Sequence, residues 1–230
     1  MKTIGLIGGM SWESTVTYYQ IINQTIKAEL GGFHSAKCIL YSVDFSEIEA
    51  CQSAGDWDKS AGILSDAARK LEKAGADFIV ICTNTMHKVA DDIAAAISIP
   101  ILHIADMTAL ALKECNIEKV ALLGTIYTME QDFYKSKLIE NNIEVVIPSE
   151  VSRRFVNDSI YNELCRGIIL DTTRMKFLEI IDETVGMGAQ GVILGCTEIG
   201  LLVKQQDTSV KLFDTAQIHA TRVAMFSVGK

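Results

Sequence analysis

Short apolar runs alternate with longer amphipathic stretches along the whole chain. Thr3–Ile7, Ala36–Val43, Phe78–Cys82, Ile101–Ile104, Val120–Leu123, Glu144–Ile147, Val192–Leu194 and Lys211–Phe213 read as strands. They are rich in Ile, Val and Leu, and several show no two-residue alternation, the pattern of strands buried on both faces of a parallel sheet. Helical spacing fills the intervals. Ser11 is placed to cap a helix whose apolar positions Val16, Tyr19, Ile22 and Ile26 fall three or four apart. A second helix over Lys59–Lys73 carries Ile63, Leu64, Ala67, Ala68 and Leu71 on one face, and Thr128-Met129-Glu130-Gln131 reads as a capping box opening a helix to about Asn141. Strands and helices in alternation predict βαβ units and a parallel α/β architecture.

The pattern occurs twice. Ile4-Gly5-Leu6-Ile7-Gly8-Gly9 resembles Val120-Ala121-Leu122-Leu123-Gly124-Thr125, 116 positions on. The stretch from Gly75 through Cys82-Thr83-Asn84 resembles that from Gly188 through Cys196-Thr197-Glu198, the glycines 113 apart and the cysteines 114. Each half therefore reads as a small α/β unit with a glycine turn after its first strand and a middle strand ending in Cys-Thr. Ligands of open α/β sheets bind beyond the carboxyl ends of the strands. If the halves pack face to face, Cys82 and Cys196 look into a cleft from opposite sides. The plainer alternative is a duplicated strand end that kept a small residue.

Composition narrows the class. In 230 residues there are 21 Lys and Arg against 29 Asp and Glu, a formal net charge of −8, with 49% apolar residues. Such a chain can bury a full core, and its acidity argues against a nucleic-acid partner, which needs a basic stripe. No apolar run approaches the ~20 residues that cross a bilayer, and Ile4–Met10 is too short and glycine-broken for a signal segment. The expectation is a soluble, cytoplasmic protein with no membrane partner. The six cysteines, Cys38, Cys51, Cys82, Cys115, Cys165 and Cys196, form no C-x-x-C pair. They suit neither a disulfide framework nor zinc, so four read as small core residues beside the two strand-end thiols.

Two thiols on opposite faces of a carbon acid can serve as base and acid, the arrangement that inverts a stereocentre. Helix N-termini downstream of each cysteine are expected to favour the thiolate, and Thr83, Asn84, Thr85 and Thr197 offer groups for a carboxylate. Other motifs are weaker. Gly5-Leu6-Ile7-Gly8-Gly9-Met10 is not G-x-G-x-x-G and has no P-loop Lys. His87, five residues after Cys82, leaves a Cys–His nucleophile open, beside a surface or capping role. Met86 and Met107 read as core filler, and Trp12 as a pocket wall or simple packing.

Gly8-Gly9-Met10-Ser11-Trp12-Glu13-Ser14, Cys82-Thr83-Asn84-Thr85-Met86-His87, Gly195-Cys196-Thr197-Glu198 and Gly124-Thr125 with Tyr127-Thr128 together resemble the cofactor-independent aspartate/glutamate racemase family. The resemblance spans the chain. It implies an α/β fold of two pseudo-symmetric Rossmann-like domains, each a mostly parallel sheet flanked by helices, with the active site in the interdomain cleft. The domains implied are 1–104 with 214–230, and 105–213. It further implies a homodimer, an amino acid as the small-molecule substrate and no pyridoxal phosphate; His34, His103 and His219 show no ligand spacing, so no metal is expected. By that resemblance Cys82 and Cys196 are the acid/base pair; Met10 and Ser11 belong to the first motif; Thr83, Asn84, Thr85 and Thr197 hold the substrate; Thr125 and Thr128 line the other wall. Arg166 falls where aspartate-type members meet the side-chain carboxylate, a group Arg binds in bidentate fashion, although a solvated helix-end Arg is the alternative. No Lys or Arg stands between Val43 and Trp57, where a second basic residue is expected, and Gln52 is the nearest polar candidate. That departure leaves aspartate-only selectivity open against glutamate, broader amino-acid, hydantoin or maleate substrates.

Overall fold

The uniformly apolar runs become fully buried strands of two sheets. The computed structural model describes Met1–Lys230, which divides into Met1–Ile104 with His219–Lys230, and Ala105–Ile218. In the first unit β1 (Ile4–Gly8) pairs in parallel with β2 (Cys38–Ser42) and with β3 (Phe78–Ile81), in the order β2-β1-β3. Every residue of β1 and β3 is buried, which explains their lack of alternation. Around this sheet run α1 (Trp12–Leu30), α2 (Phe45–Ala54), α3 (Trp57–Lys73) and α4 (Ala90–Ala95). Leu64, Ala67, Ala68 and Leu71 of α3 share a core with Ile7 and Ile79.

The second unit begins within α5 (Ile104–Glu114). Its sheet has β4 (Lys119–Gly124) between β5 (Glu144–Val146) and β6 (Gly191–Gly195), with β7 (Lys211–Asp214) beyond β6, all parallel. Helices α6 (Ile126–Glu130), α7 (Asp132–Ile139), α8 (Glu150–Asn162), α9 (Asp171–Gly186) and α10 (Ile199–Leu202) complete it. Val156 of α8 and Phe177 and Ile181 of α9 form one core with Leu123, Val192 and Leu194. The last helix, α11 (Thr215–Ser227), starts in this unit and ends in the first. His219–Lys230 packs with the first unit. β7 is a full sheet strand of the second unit, and the Thr215 hydroxyl donates to the Leu194 carbonyl at 2.8 Å. No helix is long and apolar enough to cross a membrane.

Several expectations change in detail. Ile101–Ile104 is not a strand: only Ile101 bridges to Ile79, because α5 starts at Ile104 and Pro100 has no N–H to give a ladder. Ser11 does cap α1, its side chain accepting from the Ser14 N–H. The buried stripe of that helix, however, is Tyr18, Ile21, Ile22 and Ile26, while Val16 and Tyr19 are exposed. Thr128 opens no helix. Thr125 is the cap, accepting from the Thr128 N–H, and a separate helix, α7, begins at Asp132. Of the four cysteines read as core, only Cys51 is buried; Cys38, Cys115 and Cys165 are half-exposed.

The turn after β1 requires glycine. Gly9 has φ 90°, and a Cβ there would run into the Val43 carbonyl oxygen. Its N–H donates to the Thr15 hydroxyl at 2.9 Å, tying the turn to the first turn of α1.

The returning half of α11 is held by a buried polar chain. Tyr18 donates its hydroxyl proton to His219 Nδ1 at 2.9 Å, and His219 Nε2 donates to the Leu102 carbonyl at 2.9 Å. Burial drives the His219 pKa down to about 3, from 6.5. Below pH 6.5 the unfolded chain takes a proton that the folded chain refuses, so acidification costs stability down to about pH 3. Urea unfolding between pH 7 and pH 5 is therefore expected to show a pH slope that His219→Gln reduces by up to about 1.4 kcal/mol per pH unit. Identical slopes would show that His219 does not carry the effect.

Candidate active site

In the first unit the glycine turn and the cysteine loop share one end of the sheet. The Cys82 N–H donates to the Ile7 carbonyl at 2.9 Å, so the residue after β3 is fixed beside the end of β1. Met10 and Ser11, in the turn beyond β1, are buried, as are Cys82, Asn84 and Thr85; Thr83 is half-buried. Gln52, on α2, is buried and donates its amide to Met86 Sδ at 3.0 Å. Met86 itself is fully buried, as read; Met107 is only half-buried. Trp12 does wall a cavity, but an open surface one of about 290 Å³ shared with Val16, Tyr19 and Leu40. The Cys82 thiol lies 4.0 Å from the Val80 carbonyl oxygen.

The second unit repeats this arrangement. Gly124 and Gly195 face each other across β4 and β6. A Cβ on either would sit 2.8 Å from a backbone carbonyl oxygen, of Gly195 or of Leu123. That close approach sets Thr125 and Cys196, the next residue of each chain segment, side by side. Thr125 and Thr128 are both buried, with hydroxyl oxygens 3.2 Å apart. Cys196 and Thr197 are buried as well. Arg166 ends a 3-10 turn, Leu164–Arg166, with its side chain exposed. Cys165 beside it packs on the core cluster that includes Cys196.

Glu198 is the principal site feature that sequence reading passed over. It is 2% exposed, and its Oε2 accepts from both the Cys196 thiol at 3.0 Å and the Thr197 hydroxyl at 2.8 Å. The signal was present in the repeat: Glu198 stands where the first half has Asn84. Two positions after each thiol the chain thus carries a carboxylate in one half and an amide in the other. Glu13 was passed over too; its Oε2 is enclosed without a hydrogen-bond partner.

The expected thiolate bias from helix dipoles does not hold in this structure. The downstream elements are short, a 3-10 turn at Thr85–Val89 and the four-residue α10, and a dipole of that length is small. Burial dominates and pushes both thiols up. At Cys196 the Glu198 charge adds to burial, and Cys165 contributes less. His87 is neither a surface residue nor a base for Cys82. It is 2% exposed, with Nδ1 2.8 Å from the Thr83 carbonyl and Nε2 accepting from the Ile104 N–H at 3.2 Å, so both ring nitrogens are engaged.

Each of the two parallel α/β units thus has a buried cysteine directly after the strand that pairs with its first strand. The chain belongs to the Asp/Glu/hydantoin racemase family, whose sequence profile matches residues 7–223. It is similar over nearly its full length to a Yersinia pestis protein classed with the Asp/Glu racemases, at 57% identity and TM-score 0.92, covering 99% of this chain and 100% of that one. An aspartate racemase homologue from Pyrococcus horikoshii shares 36% identity at TM-score 0.84, with coverage of 99% and 100%. The broad-specificity amino-acid racemase RacX of Bacillus subtilis is 28% identical over 167 residues, 70% of this chain and 69% of that protein. Amino-acid racemisation is accordingly the activity class of this enzyme, an isomerase.

The Glu198 contact makes a prediction that needs no substrate. Replacing its carboxylate by an amide removes a negative charge beside Cys196, so Glu198→Gln lowers the Cys196 thiol pKa. The pH profile of Cys196 alkylation, read by peptide mass, should move to lower pH in the variant. An unchanged profile, or a move to higher pH, would show that the carboxylate does not govern the thiol.

Proposed function

We propose that the enzyme racemises acidic amino acids, aspartate or glutamate, without a cofactor, by a two-base mechanism that uses Cys82 and Cys196. One thiolate takes the α-proton while the opposite thiol returns a proton to the other face of the same carbon. After turnover the protonation states are exchanged, and the enzyme is set for the opposite enantiomer. This requires one substrate to reach both thiols. The observation that carries the reading is the duplication: in each unit the strand next to the first strand leads into a buried cysteine followed by threonine. Thr83, Asn84, Thr85 and Thr197 are the proposed ligands of the α-carboxylate and amino group, with Met10, Ser11, Thr125 and Thr128 around them. A substrate ammonium beside a desolvated thiol would offset the burial that holds it neutral.

For the substrate side chain, Arg166 supplies a cation on an exposed turn, whereas Gln52 already spends its amide on Met86. A single Arg favours an acidic side chain without fixing its length, and the likeness to RacX supports a wider amino-acid range as the second reading. We also propose a homodimer, supported by the exposed apolar face of Trp12, Val16, Tyr19 and Leu40. A cytoplasmic location agrees with six unpaired cysteines.

Cys82→Ser and Cys196→Ser are each expected to lower racemisation of aspartate and glutamate by about 10²–10⁴-fold, with unchanged circular dichroism. Full turnover by either variant would remove that cysteine from the mechanism. In a substrate panel, Arg166→Leu should reduce kcat/KM for acidic amino acids at least about tenfold more than for neutral ones, the scale of one charged contact. Equal losses on both would remove Arg166 from specificity.

A further inference from the structure

The Cys82 loop has a support that the racemase reading does not use. His87 bonds to two backbone groups whose roles are fixed: the Thr83 carbonyl can only accept and the Ile104 N–H can only donate. Nδ1 therefore carries the proton and Nε2 the lone pair, a single neutral tautomer. The acceptor is the carbonyl of the residue next to Cys82, on the peptide that leads into Asn84. The donor belongs to the segment Leu102–Ile104, which His219 holds independently through the Leu102 carbonyl. The His87 ring stands 4.5 Å from the His103 ring and 5.9 Å from that of His219, centroid to centroid. The Cys82 thiol is fully buried, 4.0 Å from the Val80 carbonyl oxygen. Its direction follows the backbone of the loop that His87 ties down.

We infer that His87 is a positioning residue for Cys82, its neutral imidazole clamping the Thr83 carbonyl to the anchored Leu102–Ile104 segment so that the thiol is aimed at the substrate. The role rests on the two-thiol reading above, yet its geometry concerns the first unit alone. A displacement of the reacting group by about 1 Å is enough to cost on the order of 10²-fold in rate. The bond to Thr83 is the one that matters for aim; the bond to Ile104 is the anchor.

Two substitutions separate this from plain packing. In His87→Asn the side-chain amide reaches the position of Nδ1 and can still donate to Thr83. In His87→Gln the amide oxygen reaches the position of Nε2 and can accept from Ile104, but the Thr83 bond is lost. Gln is the nearer match in volume, so a residue that merely fills space would be better replaced by Gln. Positioning predicts the reverse order: His87→Asn keeps kcat within about tenfold of the parent, and His87→Gln loses about 10²-fold in kcat with KM little changed. The second readout is the rate at which methyl methanethiosulfonate modifies Cys82 in a Cys196→Ser background, followed by peptide mass. It should rise about tenfold in His87→Gln, as expected for losing one buried hydrogen bond, and stay near the parent value in His87→Asn. Gln matching or exceeding Asn in kcat, or equal modification rates in the two variants, overturns the inference. The modification assay needs no racemase activity, so it stands whichever way the Cys82→Ser test falls, and inactivity of the parent enzyme would overturn the two-thiol reading alone.

Discussion

The constraint on which the rest depends is the parallel pairing of each unit's first strand with its cysteine-bearing strand. In the first unit the Cys82 N–H closes on the Ile7 carbonyl; in the second, Gly124 lies directly opposite Gly195. Parallel register brings both carboxyl ends to one edge of the sheet, and the edge is where an open α/β sheet meets a ligand. The glycine turn after β1 and the Thr125 cap after β4 then fall beside a thiol without any long-range design. A one-residue slip would turn either cysteine to the other face of its sheet.

Burial is the second consequence of that pairing. A thiol at the end of a fully enclosed strand has little water, so both are held protonated, and the chemistry of each depends on what stands beside it. Here the halves part company. Cys196 has the Glu198 carboxylate, which accepts its proton's hydrogen bond and also that of Thr197; Cys82 has a loop whose backbone is tied by His87. The fold is duplicated while the control of the two thiols is not.

Much of this was legible in the sequence for physical reasons. Strands buried on both faces read as unbroken Ile, Val and Leu, and the duplicated Cys-Thr ending stood out because two copies of one motif are hard to overlook. Features decided by tertiary partners were not legible. On α1 the spacing of Val16 and Tyr19 was as good as that of Tyr18 and Ile21, and what chose between the stripes was His219, 201 residues from Tyr18. His87 looked like a polar cap because nothing near it in sequence announces the Ile104 N–H. The Ile101 run was apolar enough for a strand, but a helix starting at Ile104 left one bridge. Thr125 is not legible as a cap because Thr128 with Gln131 matches the capping box, whereas three residues after Thr125 stands Thr128 rather than Glu or Gln.

The two-thiol account is tested most directly by where solvent hydrogen enters. With one enantiomer of aspartate or glutamate in D2O, stopped at low conversion, the account predicts product carrying deuterium at the α-carbon and recovered substrate still protiated there, because removal and return use different groups. Deuterium in the recovered substrate at a rate matching product formation, or product that retains the substrate's own proton, would mean that one group serves both faces and would contradict it.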